Sequence, residues 1–302
     1  MTRIFLLVAA LALSSCQKQD LTPSPTNGPL TVFASEAYGR LADTLAGEFQ
    51  RIYPAVTPHV HAMTTREAVV HFVNDSVQTV LIDRPFNGEE LNAMKESGRE
   101  AASTFVAWDA LVVAVNMDNR IDSISLRSIE AIVKGEAERW SRVPESRRTD
   151  AVEFVTTSQN TGVHEMISRR FGAEAGRLRV FAVGRSQEEC VEYVGRSPRA
   201  VTIVSLAAVR NRPATVKILP VVTLVDSVSG RPAAVSPSQV TVDSGHYPLC
   251  FRLVVYNAER RPATGSGFAA FVLTTAGQKI VQNSGLVPAV PPSRVIQLTS
   301  EQ

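Results

Sequence analysis

The sequence predicts an α/β fold: a mostly parallel sheet covered by helices. Three observations support this. From Leu30 onward, short apolar runs alternate with stretches of helical spacing in the order β-α-β-α-β, the signature of parallel strands joined by helical crossovers. Residues 105–116, FVAWDALVVAVN, are almost continuously apolar, as in a strand buried on both faces. The 302 residues, 44% of them hydrophobic, suffice for one large or two medium domains with cores of their own.

Each element follows from its local pattern. Residues 30–34, LTVFA, form a short apolar strand. Ser35 then offers an N-cap, and Tyr38, Leu41, Leu45, Phe49 and Ile52 recur at helical spacing until Pro54 closes the segment. Residues 55–63 read as a second strand, 66–73 as a short helix and 79–83, TVLID, as a third strand. The buried strand at 105–116 is interrupted by Asp109. Residues 125–140 are amphipathic, with Leu126, Ile129, Ile132 and Val133 on one side. A strand at 151–156 leads through TSQNTG into a helix near 163–171. Residues 200–209 form another core strand, 218–242 break into short β segments, and 247–257 return to strand character. A last helix covers 267–285, with a break expected near Thr274–Gly277, and the tail after Pro288 is polar.

The N-terminus sets the compartment. Arg3 precedes an apolar run from Ile4 to Leu13, shorter than the about 20 residues that cross a bilayer, so residues 1–15 read as a signal peptide. Ser14 and Ser15 before Cys16 resemble a bacterial lipobox, in which Cys16 carries lipid and becomes the mature N-terminus. Residues 16–29, rich in Pro, Ser, Thr and Gly, read as a lipidated flexible tether. A place outside the cytoplasm, without ATP or NAD(P)H at hand, disfavours most cytosolic metabolic enzymes. The 287 residues after the leader hold 30 basic and 29 acidic side chains. No window among them combines a Lys/Arg stripe with aromatics, which argues against a nucleic-acid partner. Cys190 falls in an expected helix and Cys250 in an expected strand, and two readings stand: a disulfide, or two free thiols.

Five segments, in order, resemble the phosphate-binding branch of the type 2 periplasmic binding proteins, the substrate-binding lipoproteins of ABC phosphate importers. They are SLRSIEAIVKGEAERW (125–140), TSQNTGVHEMISRRF (157–171), SPRAVTIVSLAAV (197–209), YPLCFRLVVY (247–256) and GFAAFVLTTAGQKIVQNSGLVP (267–288). The resemblance implies two α/β lobes, residues 30–106 with 255–302 and residues 107–254. Each lobe would be a mixed, mostly parallel sheet flanked by helices, with two hinge crossings near 105–115 and 246–256. It also implies a monomer, lipid-anchored at the cell envelope, that captures inorganic phosphate or a related small oxyanion for an ABC permease of the inner membrane. No cofactor, metal or chemical turnover enters this reading.

Backbone N–H groups at helix N-termini and neutral hydroxyls suit a tetrahedral oxyanion. The resemblance puts a first ligand loop at Ser35, Glu36 and Ala37. Ser35 also reads as a plain N-cap, and Glu36 would repel an anion. A second candidate is Asp83-Arg84, after the third strand. Arginine grips an oxyanion bidentately, while a carboxylate accepts a proton from a partly protonated phosphate and rejects sulfate. A structural Asp–Arg pair is the plain alternative. The third is the loop 157–163, with Asn160, in which Thr161, Gly162 and Val163 fall where the family has Ser-Gly-Thr. There Val163 replaces a hydroxyl donor, and Thr157 stands where the family usually places an arginine. Asp109 is read as lying near the hinge, as a ligand contact or as a hydrogen-bonded structural group. His59 and His61 share one strand face without a third ligand nearby, so no metal site is expected. The departures at Thr157 and Val163 leave room for a relative that binds another ligand or serves as a sensor or adaptor.

Overall fold

The computed structural model describes residues 23–172, 178–223 and 233–292; the expected leader, Cys16 and most of the polar tail lie outside them. The chain runs β1 (Gly28–Ser35), α1 (Gly39–Ile52), β2 (Val56–Met63), α2 (Thr65–Val73), β3 (Thr79–Ile82), α3 (Gly88–Glu96) and β4 (Ala102–Asn116). It continues with β5 (Ile124–Ser125), α4 (Leu126–Lys134), β6 (Glu153–Thr157), α5 (Gly162–Arg170), β7 (Ala182–Gly184), α6 (Gln187–Arg196) and β8 (Ala200–Ser205). The remainder is β9 (Val216–Leu219), β10 (Val221–Thr223), β11 (Ala233–Val235), α7 (Gln239–Asp243), β12 (Cys250–Asn257), α8 (Thr264–Val272), α9 (Thr275–Asn283) and β13 (Val287–Pro288).

One long strand organises the molecule. The first part of β4 pairs antiparallel with β12, from Ala102↔Asn257 to Ala110↔Cys250. Its second part pairs antiparallel with β8 and β9. On one side the order is β2-β1-β3-β12-β4, with β1 parallel to both β2 and β3; on the other it is β4-β8-β6-β7, with β6 parallel to β7 and β8. The helical crossovers force these parallel pairings.

Apolar packing divides at the middle of β4. Val106 and Ala107 belong to a core with Leu30, Leu45, Phe49 and Phe268. Ala110 to Val115 belong to a second core with Ile129, Trp140, Phe154 and Ile167. A smaller cluster of Phe72, Val80, Ile82 and Phe86 backs the first. The result is two lobes joined by strands that pass from one to the other. Trp140, fully buried in the second lobe, satisfies its indole by donating to the Arg199 carbonyl at 2.9 Å.

Several expectations change. Residues 23–29, expected as the end of a flexible tether, are folded. Ser24 and Asn27 bond each other's backbones, and Thr264 Oγ1 donates to the Pro29 carbonyl at 2.5 Å. Gly267 is needed here, because a Cβ at that position would overlap the Pro25 carbonyl. Ser35 is not a side-chain cap: a one-turn 3-10 helix at Glu36–Tyr38 intervenes before α1, and its serine makes no capping bond. The last helix breaks at Leu273, and Thr274 caps α9 by accepting from the Gly277 amide. Cys190 and Cys250 are free thiols, which decides between the two readings. No helix among the described residues is long and apolar enough to cross a membrane.

Candidate ligand-binding site

The strands of the first lobe deliver side chains to its boundary with the second. Ser35 ends β1, Asp83 follows β3, and Thr65 opens α2. The capping box of Thr64 and Glu67 fixes that first turn of α2. Across the boundary Gly162 opens α5, whose N-cap is Thr161. Asp83 is completely buried, and its Oδ1 accepts from Thr65 Oγ1 at 2.8 Å and Ser35 Oγ at 3.1 Å. The two hydroxyls lie 3.0 Å apart. The Gly162 amide donates to Thr65 Oγ1 at 2.9 Å, which ties the lobes together at this point. Asp83 Oδ2 is buried without a partner. Burial raises the carboxyl above its ordinary value, against the opposing bonds from Thr65 and Ser35. A side chain at 162 has no room, since a Cβ there would overlap the Asp83 carboxylate.

The other expected residues surround this junction in different roles. Both Glu36 oxygens are buried and take no bond from another residue. Burial, then the charge of Asp83, pushes the Glu36 carboxyl up to about 7. Ala37 sits in the same turn and packs on the first core. Asp109 is buried in the hinge strand, where Oδ2 accepts from Tyr38 Oη at 2.8 Å and Oδ1 from the Ala110 amide at 2.7 Å. Burial still raises its carboxyl to about 6. Both of its oxygens are thus engaged within the protein. Asn160 is exposed, and its carbonyl accepts from the Arg66 amide of the other lobe at 3.1 Å. Val163 turns its side chain into the second core, so any donor it offers is the backbone amide.

The position read as a lost arginine holds a hydroxyl pair. Thr157 Oγ1 and Thr161 Oγ1 are 2.6 Å apart, and Thr161 spends its own proton on the Ser158 carbonyl at 2.9 Å. Thr157 is therefore the donor of the pair. Arg84, expected to supply the missing charge, is held by acidic side chains. Glu90 takes its two terminal nitrogens at 2.8 and 2.7 Å, and Nη1 also donates to the Pro85 carbonyl. Glu165 of α5 brings Oε2 to 2.5 Å from Nε, a close ion pair outside hydrogen-bond geometry. The fork expected to grip the ligand is filled in this structure by two carboxylates. Removing it leaves Glu90 and Glu165 facing each other, so Arg84→Ala should cost about 2–3 kcal/mol in urea unfolding. That is below the figure for a fully buried pair, because Glu165 keeps contact with solvent.

Thr65 escaped the sequence reading, although it links Asp83 to Gly162. The available signal is the Thr64-x-x-Glu67 spacing directly after a strand, which announces a helix N-terminus pointing at the strand ends. Two clefts flank the junction. One, of about 610 Å³, lies between α1 and α6 and includes Glu36; the other, of about 680 Å³, lies between α2, α3 and α5.

A family model described as a PBP superfamily domain matches residues 22–276. Protein SphX of Synechococcus elongatus is 24% identical over 292 residues, covering 94% of this chain and 84% of that protein. Phosphate-binding protein PstS of Pseudomonas aeruginosa is 23% identical over 282 residues, covering 88% and 84%. An ABC-type phosphate transport receptor from Vibrio cholerae shares the fold with a TM-score of 0.69 at 16% identity, covering 86% of this chain and all of that one. The two-lobed architecture is that of the type 2 periplasmic binding proteins, and the chain belongs to the PBP superfamily.

Proposed function

We propose that the protein is an extracytoplasmic solute-binding protein that captures phosphate, or a closely related small oxyanion, between its lobes for an ABC importer. One observation carries this most. Asp83 has one oxygen saturated by Ser35 and Thr65 and a second buried oxygen left open, an acceptor suited to a P–OH group. The Gly162 amide at the first turn of α5 supplies a donor beside it once it leaves Thr65 Oγ1, while the Ser35 and Thr65 protons stay on Oδ1. The names of the relatives, which bind or transport phosphate, support the same ligand. A ligand oxygen that takes the Gly162 amide from Thr65 touches both lobes at once, so its affinity favours the closed state. No bond is made or broken.

The reading extends to the N-terminus: residues 1–15 direct export, Cys16 carries the lipid, and the monomer works beside an inner-membrane permease. Cys16→Ser should then release the protein from the membrane fraction. A second reading, with another ligand or a sensor role, is favoured by the Thr157–Thr161 pair, which offers no charge to an anion. Calorimetric titration of the mature protein, stripped of carried-over ligand, separates the two. Micromolar or tighter binding of phosphate with much weaker binding of sulfate is expected. Absence of phosphate binding by the folded protein would leave the second reading.

A further inference from the structure

Glu36 is the second residue of the first ligand loop, directly after Ser35. Its carboxylate oxygens are buried and take no bond from another residue. The charges that act on it most are all negative: Asp83 after β3, Glu188 on α6 and Glu67 on α2. The adjoining cleft also carries Glu192, Arg40, Arg210 and Arg212. None of these cations is paired with Glu36. Arg210 donates to the Asn283 carbonyl, Arg212 donates to those of Val216 and Val209, and Arg40 lies on the exposed side of α1. Arg84 is held by Glu90 and Glu165. An ionised oxyanion entering beside two ionised carboxylates would meet uncompensated repulsion in a water-poor site.

On the reading that the cradle takes phosphate, we propose that Glu36 is a specificity-determining residue that admits the oxyanion only together with a proton. In its protonated form the side chain is neutral and becomes an O–H donor, so the group that repels the anion turns into one that binds it. Its proton affinity in the free protein is already high, with the carboxyl half-titrated at about 7. The sign follows by linkage: the bound anion raises that proton affinity further, so the ligand binds best below about pH 7 and more weakly as pH rises above it.

The test compares phosphate titrations of the wild type and Glu36→Gln at pH 6 and pH 8, in two buffers of different ionisation heat. Phosphate itself titrates in this range, but equally for both proteins, so the ratio between them isolates Glu36. We expect about tenfold tighter phosphate binding by Glu36→Gln than by wild type at pH 8, near-equal binding at pH 6, and one extra proton taken up by wild type at pH 8. Equal affinity and equal proton uptake at both values would overturn the role of Glu36 and leave the phosphate reading standing. Binding of phosphate by neither protein at either pH, with thermal melts showing both folded, would overturn the phosphate reading and this inference with it.

Discussion

Gly162→Ala should hold the lobes apart and weaken phosphate binding by about 100-fold or more. The added Cβ would overlap Oδ1, Oδ2 and Cγ of Asp83. That carboxylate has no freedom to retreat: it is fully buried, bonded by Ser35 and Thr65, and follows a strand embedded between β1 and β12. The first turn of α5 must therefore withdraw, and the Gly162 amide loses Thr65. A ligand bridging the lobes would lose contacts on one side, and hydrogen bonds to charged groups are worth roughly 1.5–3 kcal/mol each. The apolar cores of the two lobes are untouched, so the melting temperature should fall little. Small-angle scattering checks the first part through a larger radius of gyration than the wild type, and calorimetry checks the second. An unchanged radius with unchanged phosphate affinity would move the binding site away from Gly162.

Periodicity made most of the scaffold legible, because a buried strand or an amphipathic helix writes its burial into adjacent residues. The run at 105–116 is a strand, although it begins earlier, at Ala102, and serves both lobes. Two elements had too little apolar content to be seen. In α3 only Met94 is buried, and β7 has three residues. The junction was legible in its residue types and not in its bonding. Ser35 looks like a cap until Asp83, from a different strand, is seen to take its hydroxyl. Arg84 looks like a free anchor until Glu165 arrives from the other lobe. Thr65 gained its meaning only from Gly162 across the boundary. Local pattern reports what a residue can do; which long-range partner claims it first depends on the packing of the lobes.

Asp83→Asn should lower phosphate affinity about 10–100-fold and raise sulfate affinity. The amide is nearly the shape of the carboxylate, and its oxygen can still accept from Ser35 and Thr65 as Oδ1 does. That orientation puts the amide nitrogen where Oδ2 lies open and buried. An acceptor for a P–OH proton becomes an N–H donor, which a fully ionised oxygen prefers. Stability should move the opposite way. Burial raises the Asp83 carboxyl above its ordinary value, so its protonated form is the one the fold favours. The stability tied to that proton is complete below the ordinary value and is lost as pH rises through the raised one. At pH 7 the wild type bears the burden of a buried carboxyl whose ionisation burial opposes, and the amide does not. The variant should therefore melt at the same or a higher temperature at pH 7, with its advantage shrinking as pH falls towards 4. Titration of both proteins with both anions at pH 7, with melts at each pH, reads the two effects separately. Phosphate affinity retained without gain for sulfate would deny Asp83 its part in choosing the ligand. A variant less stable at pH 7 than at pH 4, relative to wild type, would mean that Asp83 is stabilised as an anion by its two hydroxyls more than burial penalises it.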